Sequence, residues 1–221
     1  MKITKNKVVY KIKKNYATIK TYKNKEAENI KIPDMIENYS VRGINSNAFS
    51  YCEDLKNIHI PFRIFKIGIG AFSGCTSLEK VILPTGIIKI EGWVFSYCSS
   101  LTSINIPENV KSIGKMAFFN CNNLQAIYFP SNLKTIGYRA FDGCSKLRSI
   151  IIPENVNFID AEAFMGCWNI KEIIFESKIA PNISKSSFDG IHKDHNIYIT
   201  INSKGYDTEN WKGLNIIKLN Y

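Results

Sequence analysis

Histidine is scarce in this chain, and long apolar runs are missing from it. Only three histidines occur among 221 residues, and no nucleophilic residue is paired with any of them. No run of about 18 uncharged apolar residues occurs, as a membrane span would require, and the opening MKITKNKVVYKIKKN lacks the apolar segment of a secretory signal. With 45% apolar residues, the composition predicts a soluble globular chain with no membrane span. Because no nucleophile is paired with a histidine, we also expect no catalytic residues and no cofactor.

Acidic residues are too few to balance the basic ones. The formal net charge is +10, and residues 1–37 hold ten lysines against four acids. Such an excess attracts nucleic acid, anionic polysaccharide or an acidic membrane surface. The lysines are scattered through a segment that alternates like a strand pair, without aromatics or arginines arranged for base contact. We therefore expect a solvated basic surface and no nucleic-acid partner, with an anionic ligand of this segment as the alternative.

Cysteine is infrequent, but its placement is regular, because each of the six cysteines follows the previous one by 23 residues. A fixed period of about 20 to 29 residues with an L-x-x-L-x-L core is typical of a leucine-rich solenoid. Four columns share the period: Cys52, Cys75, Cys98, Cys121, Cys144 and Cys167; Phe49, Phe72, Phe95, Phe118, Phe141 and Phe164; Leu55, Leu78, Leu101, Leu124, Leu147 and Ile170; Pro61, Pro84, Pro107, Pro130 and Pro153.

Each unit divides into a helical turn and a strand. Spacings of four, five and eight predict one face of a helical turn at Ile113, Ala117, Phe118 and Cys121. A strand is predicted around Val81, whose side chain points inward. Pro84 ends this strand, because it lacks the N–H needed to continue pairing. Eight parallel strands are expected around residues 30, 58, 81, 104, 127, 150, 173 and 197. A further inward column is predicted at Ile64, Ile87, Val110, Leu133, Val156 and Ile179.

The ends of the array differ from its middle. Residues 7–22 alternate as a hairpin that turns near Lys14 and Asn15, and we assign residues 1–29 to an N-terminal hairpin cap. Residues 30–200 hold the repeats, with one added residue near Pro181. Residues 201–221 form a C-terminal cap, in which Trp211 is expected to close the core. The fold class is thus an α/β solenoid in one domain, residues 1–221: a right-handed coil with a parallel β-sheet and short helices or turns behind it.

The repeat resembles the BspA-type leucine-rich repeats, whose units are close to L-x-x-I-x-I-P-x-x-V-x-x-I-G-x-x-A-F-x-x-C-x-x. The segment LTSINIPENVKSIGKMAFFNCNN, residues 101–123, matches this pattern position by position, whereas Val94 replaces the usual alanine and Glu176 the proline. The resemblance implies a cell-surface or secreted, adhesin-like protein that binds host, matrix or other cell proteins, and it implies no catalytic residues. Because this chain shows no signal peptide, a cytoplasmic, intracellular interaction scaffold is the alternative.

The remaining motifs have simpler interpretations. A cysteine at one fixed place in every unit is expected to be a small packing residue, since parallel units point the thiols the same way and disfavour both disulfides and tetrahedral metal binding. The segment GIGAFSG does not have phosphate-loop spacing. His192 and His195 have no third ligand beside them, so no metal site is expected.

The outward face of the predicted sheet is where function can vary without disturbing the core. One outward column reads His59, Ile82, Asn105, Tyr128, Ile151, Ile174 and Tyr198, and its neighbour is small or polar. An exposed apolar stripe is typical of a protein-binding surface, although β-branched and aromatic residues also suit exposed strands without binding anything. The predicted ligand-binding residues, for a protein partner, are Ile82, Tyr128, Ile151, Ile174 and Tyr198.

Overall fold

The computed structural model describes residues 1–219, and nearly all of its regular structure is short β-strand. In chain order the strands are β1 Lys2–Lys5, β2 Val8–Ile12, β3 Tyr16–Tyr22, β4 Asn29–Lys31, β5 Met35–Ile36, β6 Tyr39–Ile44, β7 Asn57–His59, β8 Lys66–Ile67, β9 Lys80–Val81, β10 Lys89–Ile90, β11 Ser103–Asn105, β12 Ser112–Ile113, β13 Ala126–Tyr128, β14 Thr135–Ile136, β15 Ser149–Ile152, β16 Phe158–Ile159, β17 Glu172–Phe175, β18 Asn182–Ile183, β19 Asn196–Thr200 and β20 Ile216–Leu219. Within residues 1–219 there is no α-helix, and Glu209–Trp211 form a single 3-10 turn.

The first ladder of the solenoid contains the eight predicted parallel strands, β4, β7, β9, β11, β13, β15, β17 and β19. Pairing is parallel and follows the repeat, so that Ile104 lies opposite Ile127 and Ile150 opposite Ile173. Hydrogen bonds join these strands in three groups. Where one group follows another, the end strands are still neighbours: β9 lies beside β11, and β13 lies beside β15. The parallel-strand prediction is confirmed.

A second ladder of parallel strands runs along the molecule and was not predicted. It begins with β6 and β8, and β10, β12, β14, β16 and β18 form its continuous part. In the continuous part each strand has two residues, of which the second is buried, as at Ile113 and Ile136. A strand of two residues is too short to show the alternation by which strands are found in a sequence.

Turns occupy the place of the helical turn predicted for residues 113–121. The Phe118 N–H donates to the Ala140 carbonyl of the next repeat across 2.8 Å, whereas an α-helix requires bonds to the carbonyl four residues back. Met116 (φ 52°) and Asn120 (φ 56°) adopt left-handed conformations, which also stop a helix. The left-handed conformation recurs at these two positions in the other repeats. The residues at the first position are Asn47, Gly70, Trp93, Met116, Arg139 and Glu162, and those at the second are Tyr51, Gly74, Tyr97, Asn120, Gly143 and Gly166.

The core is a continuous stack of inward columns. Its phenylalanine rings lie parallel, with neighbouring centroids 5.1 to 5.6 Å apart and planes within 16° of each other. This spacing is close to the separation of neighbouring strands, so each ring between the two ends of the stack contacts the rings of both neighbouring repeats. The stack consists of Phe49, Phe72, Phe95, Phe118, Phe141, Phe164 and Phe188.

The cysteine column is buried beside this stack, and all six thiols are unpaired. Five of the thiols donate to the carbonyl of the phenylalanine that belongs to the preceding repeat, at distances of 3.1 to 3.3 Å. Burial raises the pKa of the Cys98, Cys121, Cys144 and Cys167 thiols, so these groups remain protonated donors. The cysteines are therefore packing residues that also link consecutive repeats.

The N-terminal end of the array is formed by antiparallel strands. β2 and β3 form an antiparallel pair connected by residues 13–15, where the alternation predicts the hairpin turn. β1 pairs with the other edge of β2. β3 then pairs in parallel with β6, Tyr16 opposite Ser40. The hairpin is thus continuous with the second ladder.

The C-terminal end departs from the predicted register at one position. Ile183 pairs with Ile159 and Phe188 stacks on Phe164, as expected for one added residue. The prediction that Ile179 points inward is wrong: its side chain is 73% exposed, and Ala180 packs against the core instead. The added residue therefore precedes Ala180, which moves the inward position by one.

Trp211 lies over the last repeat and is 3% exposed. Its ring contacts Phe175 and Tyr206 edge to face, with centroids 5.2 and 4.7 Å away. The Tyr206 hydroxyl donates to the Ser177 carbonyl at 3.0 Å. Phe175, Tyr206 and Trp211 thus form one aromatic cluster at the C-terminal side of the core.

Candidate binding face

The outward column of the first ladder is produced by strand alternation. In β15, Ile150 and Ile152 are buried, and Ile151 between them is exposed. The register places Ile151 opposite Ile174 and Ile174 opposite Tyr198. The structure therefore brings these three predicted site residues into one row on the surface.

Tyr128 extends this row on the adjoining strand. β13 lies beside β15, so Tyr128, 69% exposed, precedes Ile151 along the column. Exposure then falls to 50% at Ile151 and 38% at Ile174, and Tyr198 is half-buried. The apolar row is thus most accessible in the middle of the molecule and more enclosed towards the C-terminal end.

Ile82 does not join the other four residues directly. It is 85% exposed, but Asn105 occupies the next place in the column and pairs with Tyr128. The polar amide separates Ile82 from the continuous apolar row. Ile82 is therefore an isolated exposed side chain rather than part of a patch.

Ile217 belongs to the row and was missed in the sequence. β20 pairs in parallel with β19, and Ile217 lies opposite Tyr198. Ile217 follows Tyr198 by fewer residues than one repeat contains, so a search for residues at the repeat period does not find it. The apolar run Ile216–Ile217 at the end of the chain was the only signal in the sequence.

A groove of about 500 Å3 adjoins the enclosed end of the row. Ile151, Ile174 and Tyr198 line it together with Leu219 of β20. Two exposed carboxylates, Glu154 and Glu176, also line it, and none of its lining residues within 1–219 is basic. The groove therefore combines apolar walls with negative charge.

The neighbouring outward column is small or polar, as expected. At its C-terminal end Asn215 donates to the Asn196 side chain at 2.7 Å, and Asn196 donates to the Tyr198 hydroxyl at 3.3 Å. These bonds orient the Tyr198 ring at the side of the row. The column reads Asn57, Lys80, Ser103, Ala126, Ser149, Glu172 and Asn196.

The two histidine rings of the loop contact backbone groups, those of the loop itself and, through His195 Nε2, the Asn215 N–H at 3.4 Å. His192 Nδ1 accepts a bond from the Asp194 N–H at 3.1 Å, and His195 Nδ1 lies 2.9 Å from the His192 carbonyl. Across residues 1–219 no group of three or more metal-ligating side chains comes together. Over the same residues, no helix has the length and apolarity to cross a membrane.

Stacked parallel strands with inward leucine, phenylalanine and cysteine columns and a free outward face define a leucine-rich repeat protein. Residues 15–141 and 112–221 match the family described as BspA type leucine rich repeat region, in six copies. The chain belongs to this family.

Solved structures of bacterial repeat proteins are similar to the chain. A leucine rich repeat protein of T. pallidum is 28% identical with a TM-score of 0.76, over 83% of this chain and 86% of that one. Two further structures share the fold. A leucine-rich repeat protein from Bacteroides ovatus is 24% identical, with a TM-score of 0.62 over 99% of this chain and 71% of that one. A leucine rich cell surface protein from Faecalibacterium prausnitzii is 18% identical, with a TM-score of 0.54 over 99% and 94%. Comparison with curated proteins finds no match.

Proposed function

We propose that this chain is a non-enzymatic module that binds another protein through the outward column of the first ladder. The observation that carries the proposal is the row Tyr128, Ile151, Ile174, Tyr198 and Ile217, which is apolar, partly exposed and unneeded by the core. An apolar row of this kind beside a polar column provides the anchor and rim that protein interfaces use.

The groove beside the row suggests which part of a partner docks there. Its walls are apolar, and Glu154 and Glu176 give it negative charge. A partner segment with an aromatic or aliphatic side chain next to a lysine or arginine fits this chemistry. Such a segment would place the apolar group against Ile174 and the cation near the carboxylates.

We further propose that the module acts at the cell surface or after secretion, in an adhesin-like role towards host, matrix or other cell proteins. Membership of the BspA-type family and the fold shared with a cell surface protein of Faecalibacterium prausnitzii support this location. An intracellular interaction scaffold is the second candidate. Protease treatment of intact source cells separates the two, since only a surface protein is digested while the cells stay closed.

We also infer that residues 1–221 act as one domain, a right-handed coil capped by the N-terminal hairpin and the C-terminal segment. One hydrophobic cluster runs without interruption from Val8 in the hairpin to Trp211, which supports a single cooperative unit. A single unfolding transition seen by both fluorescence and circular dichroism is expected, and two separate transitions would contradict it.

The binding face is tested by a double variant, Tyr128→Ala with Ile151→Ser, against immobilised purified matrix proteins. Loss of two central anchors should weaken binding by about 2 kcal/mol or more while barely changing the melting temperature. The matched control is Phe62→Ala with Ile88→Ser, because these residues are 69% and 64% exposed and lie outside the row. Equal losses in both double variants, or none in the first, would overturn the proposed face.

A further inference from the structure

A second groove lies at the opposite end of the molecule, between the N-terminal hairpin and the first repeats. Its volume is about 460 Å3, within the range of roughly 300 to 1,000 Å3 that small-ligand sites occupy. Lys13 and Lys20 reach it from the hairpin and Lys66 from β8, and among the described residues that line it none is acidic. The groove is therefore strongly positive.

The three lysines are free to bind an anion. Among residues 1–219 none of the three forms an ion pair, although other lysines of the chain do. The neighbouring Lys2 ammonium lowers the pKa of Lys20, and Lys11 adds to the effect. An anion placed among these like charges would reduce their mutual repulsion.

Aromatic rings form one wall of the groove. Tyr16 and Phe65 meet edge to face, with centroids 6.2 Å apart and planes at 68°, and the Lys13 ammonium lies 5.3 Å from the Tyr16 centroid. Phe65 is 48% exposed, so part of its ring faces the solvent. The crossed rings do not form a parallel slot for a nucleic-acid base, but the apolar C–H face of a sugar ring can pack on Phe65.

Thr18 provides an unsatisfied polar group at the same place. It is 6% exposed and lines the groove, and within the described chain its Oγ1 has no hydrogen-bond partner. A buried hydroxyl without a partner is costly, but this oxygen has almost no accessible surface, so the proposal for the groove does not depend on it.

We propose that this groove binds a short segment of an anionic saccharide, with sulfate or carboxylate groups held by Lys20 and Lys66 and a sugar ring against Phe65. The charge and the exposed ring favour a ligand that is anionic and carries a sugar ring. A nucleic acid would require parallel stacking faces and an extended basic track, and a membrane would require protruding apolar side chains rather than a recess.

The test is calorimetric titration of the whole chain with a heparin-derived tetrasaccharide, and with a hyaluronan-derived one to separate sulfate from carboxylate recognition. In Lys20→Gln with Lys66→Gln the dissociation constant should rise about tenfold, because two charge-assisted hydrogen bonds are lost. The control is Lys111→Gln with Lys134→Gln, which removes the same charge from exposed lysines of other repeats. The control should change the dissociation constant less than twofold, because neither lysine lines the groove and salt screens the charges of exposed side chains.

The aromatic wall is tested in the same assay. Phe65→Ala should weaken binding severalfold, whereas Ile88→Ala should not, since Ile88 is the exposed counterpart of Phe65 in the next repeat. Equal losses in the two lysine pairs would mean general charge attraction and overturn the site. Failure to bind either saccharide would also overturn it, and so would stronger binding to a single-stranded oligonucleotide or to phosphatidylserine vesicles.

This site is independent of the protein-binding face. Tyr128→Ala with Ile151→Ser should leave the saccharide titration unchanged, and Lys20→Gln with Lys66→Gln should leave protein binding unchanged. Each proposal can therefore fail without the other.

Discussion

The Cys75 thiol donates to the carbonyl oxygen of Phe49 across 3.2 Å, and the same bond joins each later cysteine to the phenylalanine of the preceding repeat. A cysteine fits this place because it is small, apolar and a weak donor. The repeated residue is therefore a structural link between units and not a reagent.

The first prediction concerns thiol reactivity. In native buffer we expect almost no reaction with a thiol reagent, and six equivalents after denaturation, because all six thiols are buried and burial keeps most of them protonated. Raising the pH to the pKa of a free cysteine should not increase thiol labelling of the native protein. Disulfides, or rapid native labelling of most cysteines, would contradict the packing role.

Cys52 should be the first thiol to react when denaturant loosens the N-terminal end. Among the six it lies nearest the hairpin, and the Lys25 ammonium is 3.8 Å from its Sγ. The Cys75 thiol and Lys25 lower the pKa of Cys52 against the effect of burial, so its reactive thiolate is favoured. Lys25→Met should slow its labelling without affecting Cys144, as mass spectrometry of labelled peptides can show. Random labelling among the six would contradict this order.

The stacked phenylalanines should carry much of the stability. Phe118→Ala removes a fully buried ring with a partner on both sides and should cost about 3 to 5 kcal/mol in urea unfolding. Phe188→Ala should cost less, because Phe188 is the last ring of the stack and retains 5% exposure. Equal losses would show that the position in the stack does not matter.

Gly68 should be intolerant of a side chain. A Cβ at this position would lie 2.4 Å from the Ser46 backbone nitrogen, so the backbone of two repeats would have to separate. Gly68→Ala should cost about 1 to 3 kcal/mol, as overpacking does. Gly86→Ala is the control, because its Cβ would lie 3.4 Å from the nearest atom, the Ile64 carbonyl oxygen. A melting temperature that falls equally in both variants would contradict the steric explanation.

Much of the binding face could be predicted from the sequence. Strand alternation is a local property, so the exposure of Tyr128, Ile151 and Ile174 follows from the inward pattern of their neighbours. Ile217 could not be placed in the row, because its pairing with Tyr198 does not follow the repeat period. The sequence of the column shows that Asn105 lies between Ile82 and Tyr128. That this polar residue separates Ile82 from the row follows only from the pairing of Asn105 with Tyr128.

The amino-acid sequence by itself determined the repeat, the inward columns and the parallel stacking, because a strict period allows only one register in which every unit buries the same residues. The tertiary structure alone decided the second ladder and the turns behind it. There the amides of residues such as Phe118 bond to the next repeat, and the left-handed conformations fall on residues as different as Trp93, Met116 and Glu162. It also decided the basic groove, since Lys20 and Lys66 meet only where the hairpin pairs with the first repeats. These features depend on contacts between distant segments, which no local pattern of residues encodes.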